Sequence, residues 1–162
     1  MLTLIQFNSP IGIICLLYSK KGIRRILFEN EIPFLLKLKS FYPNESIQSS
    51  EEKDHPFQKQ ILDYLNGQRK IFDLLLDFQA PPFYTRALKE VAKIPYGKTS
   101  SYKKIAQQCN NPNAVRAVGS ANANNPIPLI IPCHRVLTHG GGLGGFGGGL
   151  QIKQFLLELE SQ

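Results

Sequence analysis

Two adjacent prolines, Pro81-Pro82, lie at the middle of this 162-residue chain and limit its possible folds more than any other feature. Each lacks a backbone N–H and restricts the residue before it, so no helix interior or central strand runs through them. The hydrophobic period changes across this break. Before it, LTLIQF, IGIICLLYS and GIRRILF are short β-prone runs punctuated by Asn8-Ser9-Pro10 and Ser19-Lys20-Lys21-Gly22, the pattern of an antiparallel meander. Residues 41–54 are polar and turn-rich, His55 to Leu65 reads as a helix ended by Asn66-Gly67, and IFDLLLDF reads as a further strand. After the break, Ala87, Leu88, Val91 and Ala92 form the stripe of a helix over Phe83 to Ile94, which stops before Pro95-Tyr96-Gly97. Thr99 or Ser100 caps a second helix through Tyr102 to Gln108. Asn111-Pro112 opens a third, with Asn as cap and Pro at the first helical position, running to about Asn122. Two short helices across a tight turn predict a helix-turn-helix. The expected class is α+β, with residues 1–80 as an N-terminal α/β lobe built on a small antiparallel sheet and residues 81–162 as a mainly helical lobe.

A basic excess attracts phosphate only where it is concentrated. The net charge is +7; residues 1–80 carry ten Lys/Arg against nine Asp/Glu, whereas residues 81–162 carry nine against three. Any nucleic-acid footprint therefore belongs to the second half. The N-terminus begins apolar without a basic segment, and no apolar run reaches the roughly 18 residues of a membrane span, so a cytoplasmic protein with no membrane partner is expected. Cys15, Cys109 and Cys133 make an odd count with no CxxC pair and no zinc-type spacing, which predicts neither structural disulfides nor a bound metal.

Bidentate hydrogen bonds from long polar side chains are what distinguish base pairs. The third helix offers only Arg116 and Asn122 for this; Ala114, Ala117, Gly119, Ser120 and Ala121 are small. Such a helix approaches a nucleic-acid backbone without selecting sequence, or else is a core helix with a small packing face.

The chemistry concentrates in NPIPLIIPCHRV, residues 125–136, where Pro126, Pro128 and Pro132 stiffen the approach to Cys133 and His134. A free thiol of pKa about 8.5 is only a few per cent thiolate at pH 7, so a reactive cysteine needs a neighbour that favours the anion; His134 and Arg135 are at hand. Neighbours on an extended segment face opposite ways, so a turn or a bridging water must bring Cys133 and His134 together. On the last helix, about Gln151 to Ser161, the residues Ile152, Phe155, Leu156, Leu159 and Glu160 form the core-facing stripe. A carboxylate turned toward a core needs a partner, and His134 would complete a Cys-His-Glu relay; alternatively the chain end frays and Glu160 stays in water. Eight of the ten residues from Gly140 to Gly149 are glycine. The GxGxxG within that run is nearly unavoidable there, and no acidic ribose partner follows, so a dinucleotide cofactor is rejected. The run reads as a mobile wall that lets backbone amides approach a ligand, with Phe146 available for stacking.

IPYGKTSSYKKIA, NPNAVRAVGSANANNP, IPCHRV and the glycine run followed by KQFLLELE together resemble the successive motifs of the O6-alkylguanine-DNA alkyltransferases. The likeness spans roughly residues 70–162; residues 1–69 match only in style. It implies a winged helix-turn-helix-like C-terminal domain, carrying the active site, that docks in the minor groove of double-stranded DNA and flips an O6-alkylguanine. The alkyl group then passes once, irreversibly, to Cys133, with O4-alkylthymine a further candidate lesion and no cofactor involved. By the same resemblance His134 takes the thiol proton through water, Glu160 orients His134, and Asn125 is the hinge between recognition helix and active-site segment. Arg116 fills the gap left by the flipped base, Tyr102 helps rotate the nucleotide, and Ala117 and Ala121 join them on the DNA-binding side. Val136, Phe146, Gly147 and Gly148 form the substrate pocket. Gly147 stands where several relatives have serine, so a hydroxyl contact to the guanine oxygen is absent. Some relatives bind structural zinc, and no Cys/His cluster here carries that over. A monomer in solution is expected, with cooperative assembly on DNA left open. Two other readings stay in view: a non-catalytic alkyltransferase-like lesion binder, which would not need Cys133, and an unrelated thiol hydrolase using Cys133 and His134.

Overall fold

In the computed structural model, which describes Met1–Gln162, the three N-terminal β-prone runs form β1 (Leu2–Phe7), β2 (Ile14–Ser19) and β3 (Gly22–Phe28), paired antiparallel as expected. A short β4 (Ile47–Ser49) adds to β1 in parallel, giving the order β3-β2-β1-β4. This strand lies inside the segment read as turns; its three residues carry too little apolar pattern to announce a strand. One face of the sheet is covered by α1 (Phe34–Phe41), a helix the sequence reading left unassigned. Phe34 and Leu38, four residues apart and so on one helix face, pack with Leu2, Leu4, Cys15, Leu17 and Leu27. Cys15 is thus a core residue, and burial pushes its thiol well above the ordinary range. Helix α2 (Pro56–Leu65) has His55 as its cap rather than its first residue, Nδ1 accepting from the Phe57 amide at 3.2 Å.

IFDLLLDF is not a strand: its one ladder contact is a bridge between Leu76 and Ile23, and Ile71 and Leu75 are exposed. The segment is strapped to β3 instead. Ile23 N–H donates to Leu75 O at 2.9 Å and Asp77 N–H to Ile23 O at 2.7 Å. Gly22, at φ +140°, permits this approach, because a Cβ there would overlap the Leu75 carbonyl. Asp77 accepts from Ser19 Oγ at 2.6 Å and from Arg24 Nη2 at 2.9 Å, and these bonds hold its carboxyl below the usual range.

The chain divides into two compact units, Met1–Phe78 and Gln79–Gln162. The second opens with α3 (Pro82–Ala92), in which Pro81 is the cap and Pro82 the first helical residue, where a missing N–H costs nothing. Ala87, Leu88 and Val91 are buried, while Ala92, placed in the stripe by periodicity, is exposed. Helix α3 packs on α4 (Tyr102–Gln108) and α5 (Val115–Ala123), the two helices of the helix-turn-helix. The cap of α4 is Ser101, accepting from Lys104 N–H at 3.1 Å, one residue beyond the two expected. The Asn111-Pro112 start of α5 is also corrected: those residues form a turn closed by Ala114 N–H to Asn111 O at 3.0 Å, and the helix begins at Val115 without a side-chain cap. Strand β5 (Ser100–Ser101) pairs in parallel with β6 (Val136–Leu137), tying the start of α4 to the segment just past Cys133, and α6 (Leu150–Glu160) closes the unit.

Candidate active site

Pro132 ends an apolar approach whose Ile127, Leu129 and Ile131 are all buried, and the chain turns at once into a 3₁₀ turn over Cys133–Arg135. The two neighbours thus sit on a turn rather than on an extended segment. Cys133 N–H donates to Ile131 O at 2.7 Å and Arg135 N–H to Pro132 O at 2.9 Å. Two asparagines fix the surrounding backbone. Asn122, on α5, donates from Nδ2 to Cys133 O at 3.1 Å. Asn125 donates to Ile131 O at 2.8 Å and accepts from Ile127 N–H at 3.0 Å. Asn122 ties the recognition helix to the Cys133 carbonyl, and Asn125, just past that helix, braces the loop and hydrogen-bonds the Cys133 thiol. Asn122 is buried and is not a base reader.

Glu160 does not fray into water. It is 5% exposed, with Oε2 at 2.7 Å from His134 Nε2. The same carboxylate takes Arg135 Nε at 2.7 Å and Nη2 at 2.9 Å, and Gly97 N–H at 3.2 Å. Arg135, whose Nη1 donates to Ile94 O at 2.7 Å, thus faces the carboxylate rather than the thiol, against its expected role beside Cys133. With an ionised Glu160 accepting from Nε2, His134 is the neutral tautomer protonated there, which leaves Nδ1 as its basic nitrogen. Burial keeps the imidazole below the ordinary histidine range, opposed by Glu160 and reinforced by Arg135.

Along α6 the buried positions are Lys153, Leu156 and Glu160, while Ile152, Phe155 and Leu159 are only partly covered. The stripe is rotated by about one residue from the expected one, and the rotation brings in Lys153. Its Nζ donates to Val136 O at 2.8 Å and to Gly145 O at 3.4 Å, joining α6 to β6 and to the glycine run. Desolvation lowers the pKa of this fully buried ammonium, and the thiol of Cys133 is close enough to act on it. Lys153 is the site residue that sequence reasoning missed; its signal was the spacing of three and seven residues to Leu156 and Glu160.

Cys133 is 3% exposed, and burial pushes its thiol from 9.0 up to about 11, with Asn125 and Lys153 pulling the other way. The neighbours that favour the anion are Asn125 and Lys153 rather than Arg135, and dehydration of the anion outweighs them. A folded pKa above the unfolded one makes a contribution to stability that is complete below about pH 9 and lost as pH rises through about 11. Two units correspond to about 3 kcal/mol. Denaturant melts of the parent and Cys133→Ala across that window are expected to show a shallower alkaline loss in the variant; parallel curves would contradict the assignment.

Tyr102 begins α4 with its ring against the glycine run: a Cβ on Gly144, itself at φ +69°, would lie 2.7 Å from the tyrosine hydroxyl. Burial raises the Tyr102 pKa, Asn122 opposing and the Cys133 thiol adding to the rise, so this hydroxyl stays protonated at neutral pH. Arg116 is exposed on α5 and Ala117 partly so, whereas Ala121 is 0% exposed and leaves the DNA-facing set, its methyl being core packing against the neighbouring helices. Val136 and Gly148 are buried, Phe146 is half-buried and Gly147 is exposed. All three cysteines are free, no group of three or more potential ligands is placed to hold a metal, and no helix is long and apolar enough to cross a membrane.

Comparison with known proteins covers both units. Residues 3–78 match the ribonuclease-like domain, and residues 82–162 the DNA-binding domain, described for 6-O-methylguanine DNA methyltransferase. The chain is 40% identical over 155 residues to the methylated-DNA–protein-cysteine methyltransferase of Methanosarcina mazei, covering 94% of this chain and 93% of that one. It resembles the crystal structure of the Mycobacterium tuberculosis O6-methylguanine methyltransferase at TM-score 0.87 and 34% identity, over 99% of this chain and 93% of that one. The M. tuberculosis protein solved in complex with DNA gives the same TM-score and identity over 98% and 92%.

Proposed function

The chain belongs to the 6-O-methylguanine DNA methyltransferase family, and on that premise we propose that it repairs DNA by moving the alkyl group of O6-alkylguanine onto Cys133, once per molecule. The observation that carries this reading is a buried cysteine, Cys133, followed directly by a histidine whose Nε2 is held at 2.7 Å by a buried carboxylate, in the unit that also holds the helix-turn-helix.

A sulfur 3% exposed cannot reach the alkyl carbon on O6 of a stacked guanine, so the base must leave the duplex, at a cost of a few kcal/mol. The small residues of α5 let the helix lie close to the minor groove, and Arg116, exposed on it, offsets part of that cost by occupying the vacated stack. Near pH 7 roughly one thiol in ten thousand is ionised when the pKa is about 11. Reaction therefore needs the thiol proton to be removed as the thioether forms. The thiol proton passes through water to Nδ1 of His134, and Glu160 keeps the imidazole oriented. The Cys133 Sγ–carbon bond forms as the carbon–O6 bond breaks, and the electron pair goes to O6 and the purine ring. Tyr102, protonated at neutral pH, donates toward that charge, and the relay's proton makes good the loss. The products are a thioether and an unmodified guanine. A thioether is a poor leaving group, so nothing restores the thiol. Phe146 supplies an aromatic wall, and Val136 and Gly148 lie buried beside the thiol's segment. O4-alkylthymine is the second substrate to try.

A non-catalytic lesion binder has no use for a thiol relay, and a thiol hydrolase would turn over repeatedly on esters without salt-dependent DNA binding. Arg116→Ala is expected to slow transfer from a duplex on the order of tenfold or more while leaving transfer from the free base O6-benzylguanine unchanged. Single-turnover kinetics on both substrates test this, and equal ratios for variant and parent would remove Arg116 from the extrusion step.

A further inference from the structure

The recognition helix, VRAVGSANA, carries one cation, Arg116. Yet most of the affinity of DNA-binding proteins comes from neutralised phosphates. Of the nine Lys and Arg residues after Pro81, Arg135 and Lys153 are buried in the active site. Five of the remaining seven line one feature on the α3–α4 side of the second unit. A cavity of about 540 Å³ is bordered by Arg86, Lys89, Lys93 and the end of α4. A second, of about 320 Å³, is bordered by Lys93, Lys98, Ser100 and Lys104. They share Glu90, Lys93 and Gln108 and so form one groove. Glu90, its single carboxylate, is already paired with Lys93 at 2.9 Å. Arg86 is fixed in the groove by a 2.7 Å bond from Nη2 to Cys109 O. Ser100 Oγ is buried there without a hydrogen-bond partner. The groove ends at Asn110, where the turn into α5 begins.

From this we propose that the α3–α4 groove is a second phosphate-binding surface, engaging the backbone of the duplex that flanks the lesion and supplying affinity the recognition helix lacks. The proposal rests on the DNA-repair reading above. It explains how a helix of small residues holds DNA without reading sequence: contacts to phosphates position a protein and carry no base information.

The test is the triple variant Lys89→Gln/Lys98→Gln/Lys104→Gln, all exposed residues outside the chemistry. Binding is measured against salt on O6-methylguanine duplexes of about one and about three helical turns. On the longer duplex the slope of log affinity against log salt is expected to fall by about 2 to 3, with affinity down roughly a hundredfold at 0.1 M salt. On the shorter duplex, which lacks the flanking backbone the proposal assigns to the groove, the loss should be much smaller, and transfer from free O6-benzylguanine should be unchanged. An unaltered slope on the longer duplex, or an equal loss on both, would overturn the groove while leaving the repair function standing if the parent still transfers the alkyl group. A parent that neither binds duplex nor transfers would overturn both. Slower transfer from the free base would show that the substitutions disturb the fold, and Lys89→Arg/Lys98→Arg/Lys104→Arg, which keeps the charge, must then restore the parent slope or the proposal fails.

Discussion

Glu160→Gln is expected to cost the protein about 3 kcal/mol of stability and to slow alkyl transfer on the order of a hundredfold. The carboxylate serves His134, the Nε–Nη2 edge of Arg135 and the Gly97 amide from a position 5% exposed. An amide offers one acceptor oxygen in place of two and turns an NH2 group toward donors. Arg135 is left as a buried charge without its counter-ion, and that uncompensated charge, more than the lost attraction, is the expensive part. For a chain of this length the loss appears as a melting temperature lower by roughly 6 to 12 °C. The kinetic loss has a separate cause, a histidine no longer held for proton transfer, so it should persist well below the melting range. Arg135→Met with Glu160→Gln removes both charges, and the pair should destabilise by clearly less than the sum of the single changes. Thermal melts of the four proteins check this; strict additivity would mean that Arg135 and Glu160 do not act as a buried pair.

Cys133→Ala is expected to abolish transfer entirely while lesion-duplex binding persists. The contrast follows from the separation of parts within the second unit, where the thiol is buried in the 3₁₀ turn and Arg116 and the groove lysines, proposed to meet DNA, are exposed elsewhere. Binding titrations and single-turnover assays on one duplex check both halves. Loss of binding would mean that the thiol also supports the DNA interface; residual transfer would mean that Cys15 or Cys109 accepts the group, although burial raises the pKa of both.

Local chemistry made much of this legible in the sequence. Pro81-Pro82 marked the start of α3 because only a helix start tolerates proline there, and the alternating runs before Phe28 forced an antiparallel sheet. Where short-range pattern is ambiguous, packing decided. IFDLLLDF has a strand's composition, but the chain is held to β3 by a strap at Gly22 and Asp77, contacts that lie more than fifty residues apart in sequence. Residues 47–49 pair with β1 because of where α1 delivers them, not because of their own propensity. At the site, the placing of Glu160 on the core side of its helix pointed to the His134–Glu160 pair, yet the electrostatics around it were not legible. Arg135 belongs to Glu160, and Lys153 is buried although lysine seldom is. The thiol sits higher, not lower, than a free cysteine, since burial is a three-dimensional quantity that residue identity does not encode.

The central claim is that Cys133 accepts an alkyl group from DNA. Intact-protein mass spectrometry after incubation with a duplex carrying one O6-methylguanine tests it most directly, with peptide mapping to place the change. One added CH2 per molecule is expected, confined to the peptide holding Cys133, reaching completion at one equivalent of lesion and absent in Cys133→Ala. An unmodified Cys133 after the lesion has been bound, or restored guanine in excess of protein, would contradict it.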